Sequence, residues 1–146
     1  MGKIIFQEHK KGGATAAYLT GGEPAIRMNL IIIANRIFNE IGIISNGTIK
    51  IPESIQRRIF ISIDGPKEIH NKIRRADVFD QIMDNIKDDK RVILTPTLST
   101  TNFKYIDELI DIAENSKVEG IPFSIYTSHR ETGDPLLLEG EELDWI

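Results

Sequence analysis

The chain has 146 residues, a formal net charge of −4 and no cysteine. Its length fits a single domain, and its hydrophobic and charged fractions of 40% and 27% are those of an ordinary globular protein. The acidic balance gives no electrostatic preference for nucleic acid or anionic lipid, so we expect no nucleic-acid partner. No apolar run approaches the ~20 residues of a membrane span. The absence of cysteine excludes disulfides, thiolate metal sites and cysteine nucleophiles.

The first predicted elements, in chain order, are a strand, a helix and a second strand. The apolar run 16–20 predicts a buried strand, and apolar residues follow at helical spacing over 29–40. The run 41–44 predicts the second strand, and a strong turn signal ends it. The sequence at 52–54 indicates the start of a short helix. The run 59–63 predicts a third strand, which Asp-Gly-Pro ends.

The second half of the chain continues this alternation. A helix is predicted whose core face carries Val78, Phe79, Ile82 and Ile86. The run 91–94 predicts a fourth strand, and Thr101 or Asn102 can cap the helix that follows it. A fifth strand is predicted at 118–126, weakened by Gly120 and Pro122. The tail 129–146 is expected to be irregular.

Strands and helices therefore alternate along the whole chain, which is typical of the α/β class. The strands are nearly continuous apolar runs, and such runs favour parallel strands that are buried on both faces. Periodicity does not choose between an open doubly wound sheet and a barrel. No linker divides the chain, so we predict one domain over 1–146.

Small and polar residues follow each predicted strand. In parallel α/β folds these carboxyl ends meet on one rim, where ligands bind. Gly21 and Gly22 let the backbone approach a ligand closely, and Pro24 restricts Glu23 to an extended conformation. A carboxylate fixed there suits an ammonium group. Turn chemistry alone would also enrich such residues at strand ends.

Three stretches together resemble the radical S-adenosylmethionine (SAM) superfamily. They are Leu-Thr-Gly-Gly-Glu-Pro at 19–24, Ser-Asn-Gly at 45–47 and Ser-Ile-Asp-Gly-Pro-Lys-Glu-Ile-His-Asn-Lys-Ile-Arg at 62–74. The resemblance covers roughly 18–128, and its third stretch is the most specific. It implies a parallel-stranded, TIM-like partial (β/α) barrel with about five strands present and the first one missing.

The resemblance also implies which residues bind the cofactor SAM. Gly21, Gly22 and Glu23 match the motif that holds the amino group of its methionine, and Ser45 and Asn46 match the next strand end. The other matching positions are Ser62 and Asp64, for the ribose or the carboxylate, and Arg74, or else its neighbour Arg75, for the carboxylate. A guanidinium fork fits a carboxylate in a bidentate manner. No catalytic residue and no metal ligand is assigned.

The chain departs from the family at the iron–sulfur site. The family holds a 4Fe–4S cluster with a Cys-x3-Cys-x2-Cys loop, and this chain has no cysteine. We therefore expect the cluster only in an intact parent protein, and we expect 1–13 to be the end of the first barrel helix. Three explanations stay open: a truncated fragment, one half of a split enzyme, or a decayed member that binds SAM without radical chemistry.

Three functions follow as hypotheses. The chain is the SAM-binding portion of a radical SAM enzyme, a cluster-free module for SAM or a nucleoside, or a non-catalytic α/β fragment. In the first case the parent cleaves SAM reductively to a 5′-deoxyadenosyl radical, and this chain alone is inactive. The substrate, a small molecule or a peptide, is not determined. We expect a cytoplasmic location and self-association through an open sheet edge.

Overall fold

The computed structural model describes residues 2–128 and 133–143, and it confirms the alternation of strands and helices. The strands are β1 (Ala16–Leu19), β2 (Glu40–Ser45), β3 (Arg58–Ile61), β4 (Val92–Leu94), β5 (Thr97–Leu98) and β6 (Ser124–Ile125). The helices are α1 (Gly2–Lys11), α2 (Met28–Ile37), α3 (Lys67–Arg74), α4 (Phe79–Ile86) and α5 (Ile106–Ser116). Single turns of 3-10 helix lie at Pro24–Arg27, Phe103–Tyr105 and Gly140–Glu142.

The main sheet is parallel throughout, in the order β1-β2-β3-β4. A second parallel pair, β5 with β6, continues beyond it. Parallel neighbours that alternate with helices form the partial (β/α) barrel that the sequence predicted. Among the described residues β1 pairs with β2 alone, so its other edge is open. Self-association through that edge stays a prediction.

The helices cover one face of the sheet. On that face every second strand residue is buried, for example Ile43, Ile59 and Leu94. Ile31 of α2 and Leu109 of α5 belong to the same core. The opposite face is only half covered. Burial therefore alternates along β3 and β4, and the expectation of strands buried on both faces is wrong there. In a partial barrel this second face is the concave one, and it stays open to a ligand.

The fifth predicted strand is broken into two parts. Gly120 makes a single parallel bridge to Ile93, and pairing resumes only at β6, which pairs with β5. Pro96 separates β4 from β5 as Pro122 interrupts the predicted fifth strand. Proline cannot donate a ladder hydrogen bond, so each proline ends one pairing and lets the strand move to the next.

Two helix predictions need correction. No helix forms at 52–54, because the Arg91 guanidinium takes the carbonyl oxygens of Ile51, Pro52 and Ile55. The predicted helix around Val78–Ile86 is α4, but α3 precedes it and was not predicted. Arg75 separates the two with φ 53°, in the left-handed region where a helix ends.

Both chain termini are described in part. Residues 2–11 form α1, which ends before Gly12 and Gly13; that it is the end of a first barrel helix stays a prediction. Of the tail, 133–143 contains one 3-10 turn, while 129–132 and 144–146 lie outside the described residues. None of the described helices is long and apolar enough to cross a membrane.

Candidate functional site

The predicted site residues lie along one rim, the carboxyl ends of β1, β2 and β3. Gly21, Gly22 and Glu23 follow β1. Ser45 is the last residue of β2 and Asn46 follows it. Ser62 and Asp64 follow β3, and Arg74 is the last residue of α3. These strands are neighbours in the sheet, so the fold brings the eight positions into one region.

The two glycines after β1 have backbone conformations that other residues adopt rarely. Gly21 has φ 91° and Gly22 has φ 55°. A Cβ atom at either position would have no heavy atom within 4 Å outside its chain neighbours. The backbone is therefore exposed at this point of the rim, and an incoming group can approach its amides and carbonyls directly.

Glu23 ties the end of β1 to the end of β2. Its Oε1 accepts hydrogen bonds from the Ala25 amide at 2.8 Å and the Ser45 hydroxyl at 2.9 Å, and its Oε2 accepts one from the Asn46 amide at 2.7 Å. The Ser45 hydroxyl in turn accepts the Gly47 amide at 3.0 Å. A carboxylate has about four acceptor positions, so one position on Oε2 is left for a ligand donor.

The rim continues from β2 to the loop after β3. The Ser62 amide donates to the Ser45 carbonyl at 3.2 Å. The Ser62 side chain is half-buried, and its hydroxyl has no hydrogen-bond partner within 2–128 and 133–143. This hydroxyl is therefore available to a ligand.

Asp64 and Arg74 form an ion pair on the rim. Arg74 Nε lies 2.7 Å from Asp64 Oδ2, and the Asp64 side chain is 7% exposed while that of Arg74 is 38% exposed. No group of the described chain donates to Asp64 Oδ1 or pairs with the terminal amino groups of Arg74. The pair thus presents one free carboxylate oxygen and two free donors.

Two buried residues that the sequence did not single out as site residues hold this pair in place. Asn102 donates from Nδ2 to the carbonyls of Asp64 at 2.8 Å and Thr97 at 3.0 Å. His70 accepts the Asp64 amide on Nδ1 at 3.2 Å. One sequence signal could have found His70. It lies four residues before Arg74, so on a helix the two side chains share one face, and this helix follows the strand that ends near Asp64.

The ion pair borders a cleft of about 480 Å³. The cleft lies beside the ends of β3, β5 and β6, with Asn102 and Tyr126 in its wall. The described part of the tail folds back against it, because Asp134 accepts the Tyr126 hydroxyl at 3.1 Å and the Pro135 carbonyl accepts the Thr100 hydroxyl at 2.6 Å. A space of this size is ordinary for a small-molecule ligand.

The chain does not supply the ligands of an iron–sulfur cluster. Its sequence has no cysteine, and thiolates hold such clusters. Within the described residues no group of three His, Asp or Glu side chains could hold a metal ion either.

Comparison with known proteins finds the same fold in solved structures. No protein-family model matches the chain, and no curated protein sequence matches it. Native anSMEcpe with bound AdoMet and the Kp18Cys peptide superposes with TM-score 0.71 at 18% identity, over 99% of this chain and 47% of that one. TYW1 with a lysine-pyruvate adduct gives 0.69 at 18% identity, over 99% and 57%. Streptococcus suis SuiB gives 0.65 at 15% identity, over 94% and 35%.

These three proteins are radical SAM enzymes, and the chain spans about half the length of anSMEcpe. At 15% to 18% identity the likeness concerns the fold. It confirms, at that level, the resemblance that the rim motifs indicated. The chain has the partial (β/α) barrel fold of the radical SAM enzymes.

Proposed function

We propose that this chain forms the SAM-binding rim of a radical SAM enzyme. The observation that carries the proposal is the hydrogen-bonded rim from Glu23 through Ser45 to Ser62, with the Asp64–Arg74 ion pair directly after it; acceptors and donors on this rim have no partner in the described chain. Bound AdoMet in the structure of anSMEcpe, which shares the fold, supports the same ligand here. The eight predicted residues are the proposed SAM contacts.

The free groups match the two ends of SAM. The remaining acceptor on Glu23 and the exposed backbone of Gly21 and Gly22 suit the methionine ammonium group. Asp64 Oδ1 and the Ser62 hydroxyl suit ribose hydroxyls. The terminal amino groups of Arg74 suit the methionine carboxylate, because a guanidinium donates two parallel hydrogen bonds to it.

In this proposal the whole protein cleaves SAM reductively and acts on a small molecule or a peptide. Structures of two proteins with this fold contain peptides, for example Kp18Cys in anSMEcpe and the precursor peptide SuiA in SuiB, and these support a peptide substrate. We also propose a cytoplasmic location, which the cysteine-free sequence supports.

A cluster-free module that binds SAM or a nucleoside is the second candidate. It is favoured by one observation: the protein's own groups, Asn46 and Arg74 among them, already hold both carboxylates of the rim, Glu23 and Asp64. A cluster-free module would bind SAM and a nucleoside without any redox partner. A non-catalytic fragment would bind neither.

A titration followed by amide NMR tests the proposal. We expect SAM to shift the amide signals of Gly22, Asn46 and Asp64. The change Arg74→Lys should weaken SAM about tenfold, the equivalent of one hydrogen bond to a charged group. Arg36→Lys, at an exposed position in the last turn of α2 before β2 begins, is the matched control and should leave the affinity unchanged.

The outcomes separate the candidates. Shifts with SAM but none with adenosine support the enzyme portion, since recognition then needs the methionine end. Equal shifts with both ligands favour the nucleoside module. No shift at millimolar SAM, or equal loss in Arg74→Lys and Arg36→Lys, contradicts SAM binding at this rim.

A further inference from the structure

His70 combines deep burial with an incomplete set of hydrogen bonds. It lies on α3 with 1% of its surface exposed. Its Nδ1 accepts the Asp64 amide at 3.2 Å, and its Nε2 has no hydrogen-bond partner within the described chain. Buried polar atoms without a partner are rare, so the position calls for a reason other than packing.

The hydrogen bond to Asp64 fixes the protonation state of the ring. The amide of Asp64 is a donor, so Nδ1 must be the unprotonated nitrogen, and a neutral ring then carries its proton on Nε2. Burial lowers the pKa of His70 and keeps the ring neutral; the Asp64 carboxylate opposes this effect and the Arg74 guanidinium adds to it. From α4 the ring faces uncharged Phe79, at 5.8 Å between centroids.

Packing alone would favour a different side chain at this position. An apolar residue would fill the space beside Phe79 and would bury no unpaired N–H. The one interaction that an apolar residue cannot make is the acceptance of the Asp64 amide. The imidazole is therefore explained by its effect on Asp64.

Three side chains hold the three polar parts of Asp64. His70 accepts its amide, Asn102 donates to its carbonyl, and Arg74 pairs with Oδ2. His70 and Arg74 lie one turn apart on α3, so a single rigid helix holds both the main chain and the carboxylate. Oδ1 has no donor within the described chain and is left for a ligand.

We propose that His70 is a positioning residue for the ligand-binding rim: its neutral imidazole fixes the Asp64 main chain so that the carboxylate meets Arg74 and presents Oδ1 outward. The identity of the ligand rests on the proposed function above. The geometry of Asp64 is independent of the proposed function, so the main test needs no ligand.

NMR of the chain and of two variants tests this role. In the wild type we expect the His70 ring to show the Nε2–H tautomer, with exposed His9 as a reference for the ring signals. His70→Asn keeps an acceptor near the position of Nδ1, and His70→Leu keeps bulk without one. We expect the Arg74 Nε–H signal to keep its chemical shift in His70→Asn and to move in His70→Leu, because Nε lies 2.7 Å from Asp64 Oδ2 and reports the position of that carboxylate.

The contrary results are distinct. A proton on Nδ1 in the wild type overturns the proposal, and this measurement stands even where a variant fails to fold. An unchanged Asp64 amide shift and Arg74 Nε–H signal in His70→Leu also overturns it, since His70 would then only fill space.

SAM affinity provides the link to function. We expect His70→Leu to weaken SAM about tenfold and His70→Asn to restore most of the loss, in line with one hydrogen bond at the site. Equal affinity of wild type and His70→Leu contradicts a positioning role. Failure of the wild type to bind SAM contradicts the proposed function, while the tautomer and the Arg74 signal still decide the role of His70.

Discussion

Replacement of Glu23 by alanine tests whether its carboxylate joins the first two strand ends. The change removes the acceptor of three hydrogen bonds, from the Ala25 amide, the Ser45 hydroxyl and the Asn46 amide. Ser45 is 3% exposed, so its hydroxyl gains little water in exchange. The free energy of unfolding should fall as these donors lose their partner.

The size of the loss follows from the exposure of the site. Hydrogen bonds to a charged group contribute about 1.5–3 kcal/mol each, but Glu23 is only half-buried and water can replace part of them. We therefore expect Glu23→Ala to cost about 2–4 kcal/mol in total. Glu23→Gln keeps one acceptor oxygen and turns an NH₂ group toward a donor, so it should cost about 1–2 kcal/mol.

Urea unfolding followed by circular dichroism measures these losses. Glu53→Ala is the matched control, because Glu53 is an exposed loop residue and its side chain should contribute at most about 0.5 kcal/mol. A double-mutant cycle with Ser45→Ala should show coupling of about 0.5–3 kcal/mol between the two side chains. Equal stability of Glu23→Ala and Glu53→Ala would refute the reasoning.

Two further predictions concern the support of the rim and the base of the sheet. Gly47→Ala and Gly133→Ala each add a Cβ atom at nearly the same φ, 77° and 74°, but only the Cβ atom at position 47 meets another side chain, that of Ile82 at 2.8 Å. Thermal unfolding should therefore show that Gly47→Ala lowers the free energy of unfolding by about 1–3 kcal/mol more than Gly133→Ala. Equal losses of stability in the two variants would contradict this. The Arg91 guanidinium lowers the pKa of Asp89, so its contribution to stability is present above pH ~4 and is lost as pH falls through the lower folded-state value. Urea unfolding of Asp89→Asn should therefore depend less on pH below ~4 than that of the wild type, and identical slopes would contradict the assignment.

The sequence predicted the main strands and several helices because their signals are local. Runs such as 41–44 and 59–63 are apolar over their whole length, and turn residues end them. Helix α3 was missed because it is short and its sequence, Lys-Glu-Ile-His-Asn-Lys-Ile-Arg, is mostly polar, with only two aliphatic residues to mark a core face. The helix predicted at 52–54 was wrong because Arg91, far along the chain, captures its carbonyls.

The candidate site was predictable in its place but not in its bonding. Small and polar residues after each strand indicated the rim, since parallel strands share one end. The partners of Glu23 and Asp64 were not predictable, because they come from other strand ends and from Asn102, 38 positions beyond Asp64. The roles proposed for the eight residues toward SAM remain predictions for the experiments above.

The sequence by itself determined the α/β class, the order of the elements and the rim that gathers the polar residues. Each of these depends on periodicity and turn chemistry over a few neighbouring residues. The tertiary structure decided which groups are already satisfied and which remain free: Glu23 retains one acceptor position, while Asp64 Oδ1 and the ends of Arg74 have no protein partner in the described chain. The physical reason is that hydrogen-bond satisfaction depends on distances between segments far apart in the chain, and only packing sets those distances.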